Sequence, residues 1–133
     1  MKTLIILLAF LPFTCHAITV QDMRDSLIKY KVHELEISLA MVIFETGLKD
    51  DGFLIKRNNY FAFRGGGDYI KFRSCSTSIV SYRHWQERNW LPYKKLHPNN
   101  SYFDYLLQSG YANDMVMYVG KLKQIIKLYK LKI

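Results

Sequence analysis

The chain has 133 residues, half of them hydrophobic and 15% aromatic, with 19 Lys and Arg against 11 Asp and Glu for a formal net charge of +8. That length is enough for one domain around one core. The basic balance suits an anionic partner such as a cell-wall polymer, lipid headgroups or nucleic acid, but neither a zinc-ligand spacing nor an RNA-binding aromatic motif supports the last.

Lys2, the apolar run Leu4–Phe13 and Cys15-His16-Ala17 form the n-, h- and c-regions of a secretory signal peptide over residues 1–17. The alternative is an uncleaved anchor or a buried first helix, but the apolar core is too short to span a bilayer. Pro12-Phe13-Thr14 fits a lipobox poorly, so cleavage is placed after Ala17 rather than before Cys15. Cleavage leaves residues 18–133 as a single exported domain of net charge +7, destined for the periplasm or the medium and expected to act as a monomer. Cys75 is then its only cysteine, and no intramolecular disulfide is expected. A thiol dyad of Cys75 with His84 or His97 is disfavoured, because His84 falls nine residues along the same predicted helix.

Apolar residues at Val20, Met23, Leu27, Ile28 and Tyr30 predict an amphipathic first helix over 20–32. A second helix covers Glu34–Glu45 and stops at Gly47. Tyr60–Phe63 and Tyr69–Phe72 are expected to pair as a short hairpin across Gly65-Gly66-Gly67. Ser74 or Ser76 caps a helix running to about Arg88, and Trp90–Asn100, with Pro92 and Pro98, reads as loop. Ser101–Ser109 forms a short helix closed by Gly110, and Asn113 or Asp114 caps a last helix to about Leu131. The expected fold is mainly α, about five helices with one short hairpin.

The second helix carries the strongest chemical signal. Its apolar run Leu39–Phe44 ends on Glu45, which shares a face with Met41 and Val42. A carboxyl held against apolar surface keeps its proton to higher pH and can act as a general acid near neutrality. The bland alternative is a solvated carboxylate at a helix C-terminus, a position that opposes the helix dipole. Asp68, in the glycine turn, is the first candidate for a second acid, with Asp50, Asp51 and Asp114 behind it; Asp114 could equally serve only as an N-cap. The aromatics Tyr60, Phe61, Phe63, Tyr69 and Phe72 interleave with Arg64 and Lys71, a pattern that suits sugar faces and carboxylates, although packing explains part of it. The glycine run lacks the sequel of a phosphate-binding loop. Neither a metal nor a cofactor is expected.

Segment by segment the chain resembles the bacterial flagellar-type endo-β-N-acetylglucosaminidases of the lysozyme-like superfamily. The resemblance rests on Met41-Val42-Ile43-Phe44-Glu45-Thr46-Gly47, Asn58-Asn59-Tyr60-Phe61-Ala62-Phe63-Arg64, Tyr69-Ile70-Lys71-Phe72-Arg73-Ser74, Ser78-Ile79-Val80-Ser81-Tyr82 and Leu107-Gln108-Ser109-Gly110-Tyr111-Ala112-Asn113-Asp114, in that order. It spans about residues 34–130 and implies a lysozyme-like α+β domain that hydrolyses β-1,4 bonds of peptidoglycan glycan strands. By the same resemblance Glu45 takes the place of the catalytic acid and Tyr111 that of a tyrosine lining the cleft opposite it. Asn59, Phe61 and Tyr82 fall on positions that shape or support the sugar groove, and Tyr60 and Phe63 join them as substrate-binding candidates.

Three departures stand out. Leu48-Lys49 replaces a tryptophan-glycine pair, Met115 replaces a proline, and the hairpin Arg64–Phe72 is too short for the longer lobe that carries a second acid in many relatives. The competing readings are a muramidase or lytic transglycosylase on the same substrate, and a silent peptidoglycan-binding module. A basic membrane-active C-terminus is the third, but Lys121–Ile133 fits a packed final helix with a solvated basic face better.

Overall fold

A computed structural model of the chain describes residues 18–132; the expected signal peptide, residues 1–17, lies outside them. The described elements are α1 (Val20–Lys29), α2 (Leu35–Thr46), α3 (Phe53–Lys56), β1 (Arg64–Gly65), β2 (Asp68–Tyr69), α4 (Cys75–Leu96), α5 (Tyr102–Ser109) and α6 (Met115–Leu128). The fold is mainly helical with one small antiparallel hairpin, as expected, and carries six helices among the described residues rather than five.

Helix α2 is the centre of the molecule, packed against α1, α3 and α6. Leu39, Ala40, Met41 and Val42 are four consecutive residues with no exposed surface. A helix apolar on every side must be enclosed on every side. Helix α1 begins on a capping box in which the Thr19 and Asp22 side chains exchange bonds with each other's backbone N–H, and it buries Met23 and Leu27 against α2. It stops at Lys29, earlier than the apolar pattern suggests, because Lys31 turns to a φ of 56° and the Val32 N–H folds back onto the Leu27 carbonyl.

Two further helices differ from expectation. Helix α3 was not foreseen; its four residues bury only Ile55, too little periodicity to register. Helix α4 runs on to Leu96, straight through Pro92. An internal proline costs about 3 kcal/mol. Here the burial of Trp90 offsets that cost, its ring lying 5.0 Å from Tyr102 and 5.5 Å from Tyr105.

Buried polar groups tie α4 to the rest. The Gln86 amide donates to the His33 carbonyl (2.8 Å) and the Tyr102 hydroxyl (3.2 Å), and its oxygen accepts from the His33 N–H (2.9 Å). The Tyr82 and Tyr102 hydroxyls bond to each other at 2.7 Å. The buried polar groups of Gln86, Tyr82 and Tyr102 are thus paired with one another and with the His33 backbone, which is what burial demands.

The hairpin pairs Arg64 with Tyr69 and Gly65 with Asp68 across a two-residue turn, Gly66-Gly67, with φ of 61° and 85°. Two left-handed residues in succession are the requirement of the tight hairpin turn that glycine meets best. The pairing is shorter than the expected Tyr60–Phe63 with Tyr69–Phe72: beyond the Ile70 N–H bond to the Phe63 carbonyl, the Phe63 N–H and the Ile70 carbonyl are bound by the Asn59 side chain instead of by each other. On α6, Leu122 and Ile126 are buried while Lys121, Lys123 and Lys127 are exposed, the packed arrangement with a solvated basic face. No helix among the described residues is long and apolar enough to cross a membrane. Cys75 is disulfide-bonded in the uncleaved chain, whereas the expectation of a lone cysteine was for the chain after cleavage at Ala17.

Candidate active site

The end of α2 is built to present one side chain. The Gly47 N–H closes on the Ile43 carbonyl at 2.8 Å, with Gly47 itself left-handed at φ 59°. The Thr46 hydroxyl turns inward, donating to the Val42 carbonyl (2.7 Å) and accepting from the Leu48 N–H (3.0 Å). Glu45, one residue before, therefore projects from the last turn into an open cleft of about 560 Å³, a volume in the range of ligand-binding clefts.

One wall of the cleft is the hairpin with the segment before it: Ala62, Phe63, Arg64 and Tyr69. The Arg64 guanidinium lies over the Tyr69 ring at 4.1 Å and donates to its hydroxyl at 2.8 Å, which holds both in one orientation. The opposite wall is the start of α6, with Asp114, Met117 and Tyr118. Trp85 of α4 and Tyr111 also line it, their rings edge to face at 5.3 Å.

Glu45 is half-buried. Burial raises the proton affinity of its carboxyl above the ordinary value near 4.5, and Tyr118 acts more weakly in the opposite direction. The Tyr118 hydroxyl is itself buried without a hydrogen-bond partner. Its phenol is driven far above the usual range, first by burial and then by the neighbouring Glu45 charge.

Tyr111 lines the cleft with its ring, while its hydroxyl points inward and donates to the main-chain carbonyl of Phe61. Phe63 reaches the cleft directly. Asn59, Tyr60, Phe61 and Tyr82 lie beneath it, with no exposed surface. Asn59 is the rivet of this layer: its amide nitrogen donates to the carbonyls of Phe63 (2.8 Å) and Ile70 (2.9 Å), and its oxygen accepts from the Phe63 N–H (2.9 Å). Phe61 and Tyr82 stack face to face, centroids 3.7 Å apart and planes within 2°. Burial pushes the Tyr60 phenol up to about 12, with Asp50 adding to the effect.

The two candidate second acids sit differently. Asp68 is outside the cleft lining, at the tip of the hairpin with 70% of its side chain exposed and Arg57 at 3.9 Å. Asp114 lines the cleft, but its carboxylate accepts the Met117 N–H at 2.9 Å as the N-cap of α6. Among the cleft-lining residues Glu45 and Asp114 are the carboxylates. No group of three or more potential metal ligands occurs among the described residues.

Phe44, Trp85 and Tyr118 were not singled out from sequence. Tyr118 stands four residues before Leu122 and Trp85 three after Tyr82, so helical spacing carried a signal for both.

Fold and cleft together define a helical protein with an open groove and one proton-retaining carboxyl set into its floor. Over residues 20–131 the chain matches the glucosaminidase family, described as mannosyl-glycoprotein endo-beta-N-acetylglucosaminidase, and it belongs to that family of glycoside hydrolases. No curated protein and no solved structure matches it.

Proposed function

We propose that the protein is an exported peptidoglycan hydrolase that cleaves β-1,4 bonds of the glycan strands as an endo-β-N-acetylglucosaminidase, with Glu45 as general acid. The observation that carries this reading is the half-buried Glu45 at the cleft floor, whose burial keeps a proton available for transfer. General acid catalysis of this kind contributes about 10²–10⁴-fold. The cationic character of the chain suits the carboxylates of peptidoglycan. Arg64 on the hairpin wall is placed to meet such a carboxylate, and Phe63 and Trp85 offer apolar faces to the C–H face of a sugar.

Hydrolysis then follows from the groups at hand. Glu45 gives its proton to the glycosidic oxygen as the C1–O bond breaks. The capping role of Asp114 favours a route in which the substrate's own 2-acetamido oxygen bonds to C1. Water next adds at C1, its proton passes to the Glu45 carboxylate, and the acetamido group is released. Tyr111 positions the cleft wall through its ring and its bond to Phe61.

Digestion of purified peptidoglycan, read by mass spectrometry of the products, tests the proposal. GlcNAc reducing ends support it. MurNAc ends would replace it with a muramidase, anhydro-MurNAc ends with a lytic transglycosylase, and retained binding without cleavage with a peptidoglycan-binding module. Release of glycans from a mannosyl-glycoprotein, with peptidoglycan left intact, would move the substrate to the class in the family's description.

A further inference from the structure

The cleft contains one polar atom that the proposed chemistry leaves unused. Tyr118 is 2% exposed, its ring fixed by the edge of Phe44 at 5.1 Å and by Tyr111 at 5.9 Å, and its hydroxyl has no hydrogen-bond partner. Burying a hydroxyl without a partner is unfavourable, and a phenylalanine would fill the same space without that cost. The hydroxyl belongs to a residue that lines the cleft together with Glu45, and the two side chains interact.

We infer that Tyr118 is a positioning residue for the proton-donating carboxyl: its hydroxyl hydrogen-bonds the Glu45 carboxylate formed when the proton passes to the leaving oxygen. Before transfer the carboxyl is neutral and asks little of its surroundings. After transfer it carries a full charge in a half-buried site, and an O–H donor becomes a charge-assisted partner. A hydroxyl with no close partner in the resting protein, and with the Glu45 carboxyl as its hydrogen-bonding neighbour, is therefore held ready for the state that develops during the reaction, which is how preorganised donors favour a transition state. The other titratable or charged groups around Glu45 are Tyr111 from the preceding loop, Asp114 at the start of α6, and Arg64 with Tyr69 on the hairpin. Among them, Tyr111 has its hydroxyl engaged on the Phe61 carbonyl, and Arg64 gives one of its N–H groups to the Tyr69 hydroxyl on the hairpin wall.

The inference rests on Glu45 as the acid, and its test separates the two. In protein labelled with ¹³C-glutamate, the Glu45 carboxyl resonance, assigned by its loss in Glu45→Gln, is titrated in the wild type and in Tyr118→Phe. Removing the hydroxyl raises the proton affinity of Glu45 by about tenfold, and moves the basic limb of the activity profile upward by the same factor while kcat falls. A role confined to packing would leave that titration where it was. Incorporating 3-fluorotyrosine at position 118, a stronger donor with the same ring, moves the midpoint the other way and guards against a folding defect in the phenylalanine variant. An unchanged midpoint in both variants overturns the inference. Full activity in Glu45→Gln alongside a shifted midpoint overturns the catalytic reading, and with it the role assigned to Tyr118 in the reaction.

Discussion

The hydroxyl of Tyr111 donates to the main-chain carbonyl of Phe61, fifty residues earlier in the chain, and so closes the gap between the loop before α6 and the turn that leads into the hairpin. Phe61 has no exposed surface, so its carbonyl has no water to turn to. Tyr111 is thereby both cleft lining and clamp. Tyr111→Phe keeps the ring and removes the clamp. We expect a loss of about 1–3 kcal/mol in stability, the cost of leaving a buried acceptor unpaired, together with a smaller loss of activity than Glu45→Gln causes. Urea unfolding and kcat on the same samples check this. An unchanged midpoint would show that the bond contributes nothing to the fold.

Glu45→Gln carries a prediction with two opposite signs. Activity falls by about 10²–10⁴-fold, the contribution of a general acid. Stability changes the other way. Burial raises the folded-state proton affinity of Glu45 above its ordinary value near 4.5. Below that value both folded and unfolded chains hold the proton. As pH rises from there through the folded value, the folded protein must surrender a proton that burial favours keeping, and the stability associated with the neutral carboxyl is lost. The glutamine variant escapes this loss. Its Tm should exceed that of the wild type at neutral pH and converge with it at about pH 4 and below. A wild-type Tm equal to or above the variant's at pH 7 would contradict a buried, proton-retaining carboxyl.

Trp85 and Trp90 are the two tryptophans of the chain, and Trp90 is 2% exposed. A sugar entering the cleft therefore meets Trp85 alone. Intrinsic fluorescence should change on addition of an N-acetylglucosamine oligosaccharide and lose that response in Trp85→Phe. Trp85→Ala should weaken binding by about 1 kcal/mol, roughly fivefold in affinity, the scale of one aromatic face contact. Fluorescence that responds equally in the phenylalanine variant would remove Trp85 from the binding surface.

Asn59 bridges the turn after α3 to both sides of the hairpin with three hydrogen bonds and no solvent contact. Asn59→Ala leaves the Phe63 N–H and the Ile70 carbonyl without their partner, while the Phe63 carbonyl keeps the Ile70 N–H, and we expect about 2–4 kcal/mol of lost stability. The hairpin wall carrying Arg64 and Tyr69 should loosen first, so KM should rise at temperatures where the protein is still folded. Hydrogen exchange at Phe63 and Ile70 reports this directly. Unchanged protection at those amides would argue that the hairpin is held by other contacts.

Much of this protein can be read from residue order. The run Leu39–Phe44 followed by Glu45 and Gly47 specifies a buried helix ending on an acid, because apolar side chains on all faces leave only enclosure as a solution and glycine supplies the left-handed stop. Ser101 with Asp104 and Asp114 with Met117 mark the starts of α5 and α6 through local bonds within one turn. What only the tertiary structure decided depends on contacts distant in sequence. Helix α4 passes through Pro92 because Trp90 is anchored by Tyr102 and Tyr105. The hairpin is shortened because Asn59 claims the backbone of Phe63 and Ile70. Asp68 lies outside the cleft lining and Asp114 lines it as a helix cap because the two-residue turn and the start of α6 place them there. Trp85 and Tyr118 joined Glu45 at one cleft from helices far apart in the chain, where local pattern reports a buried face but not which side chains will meet.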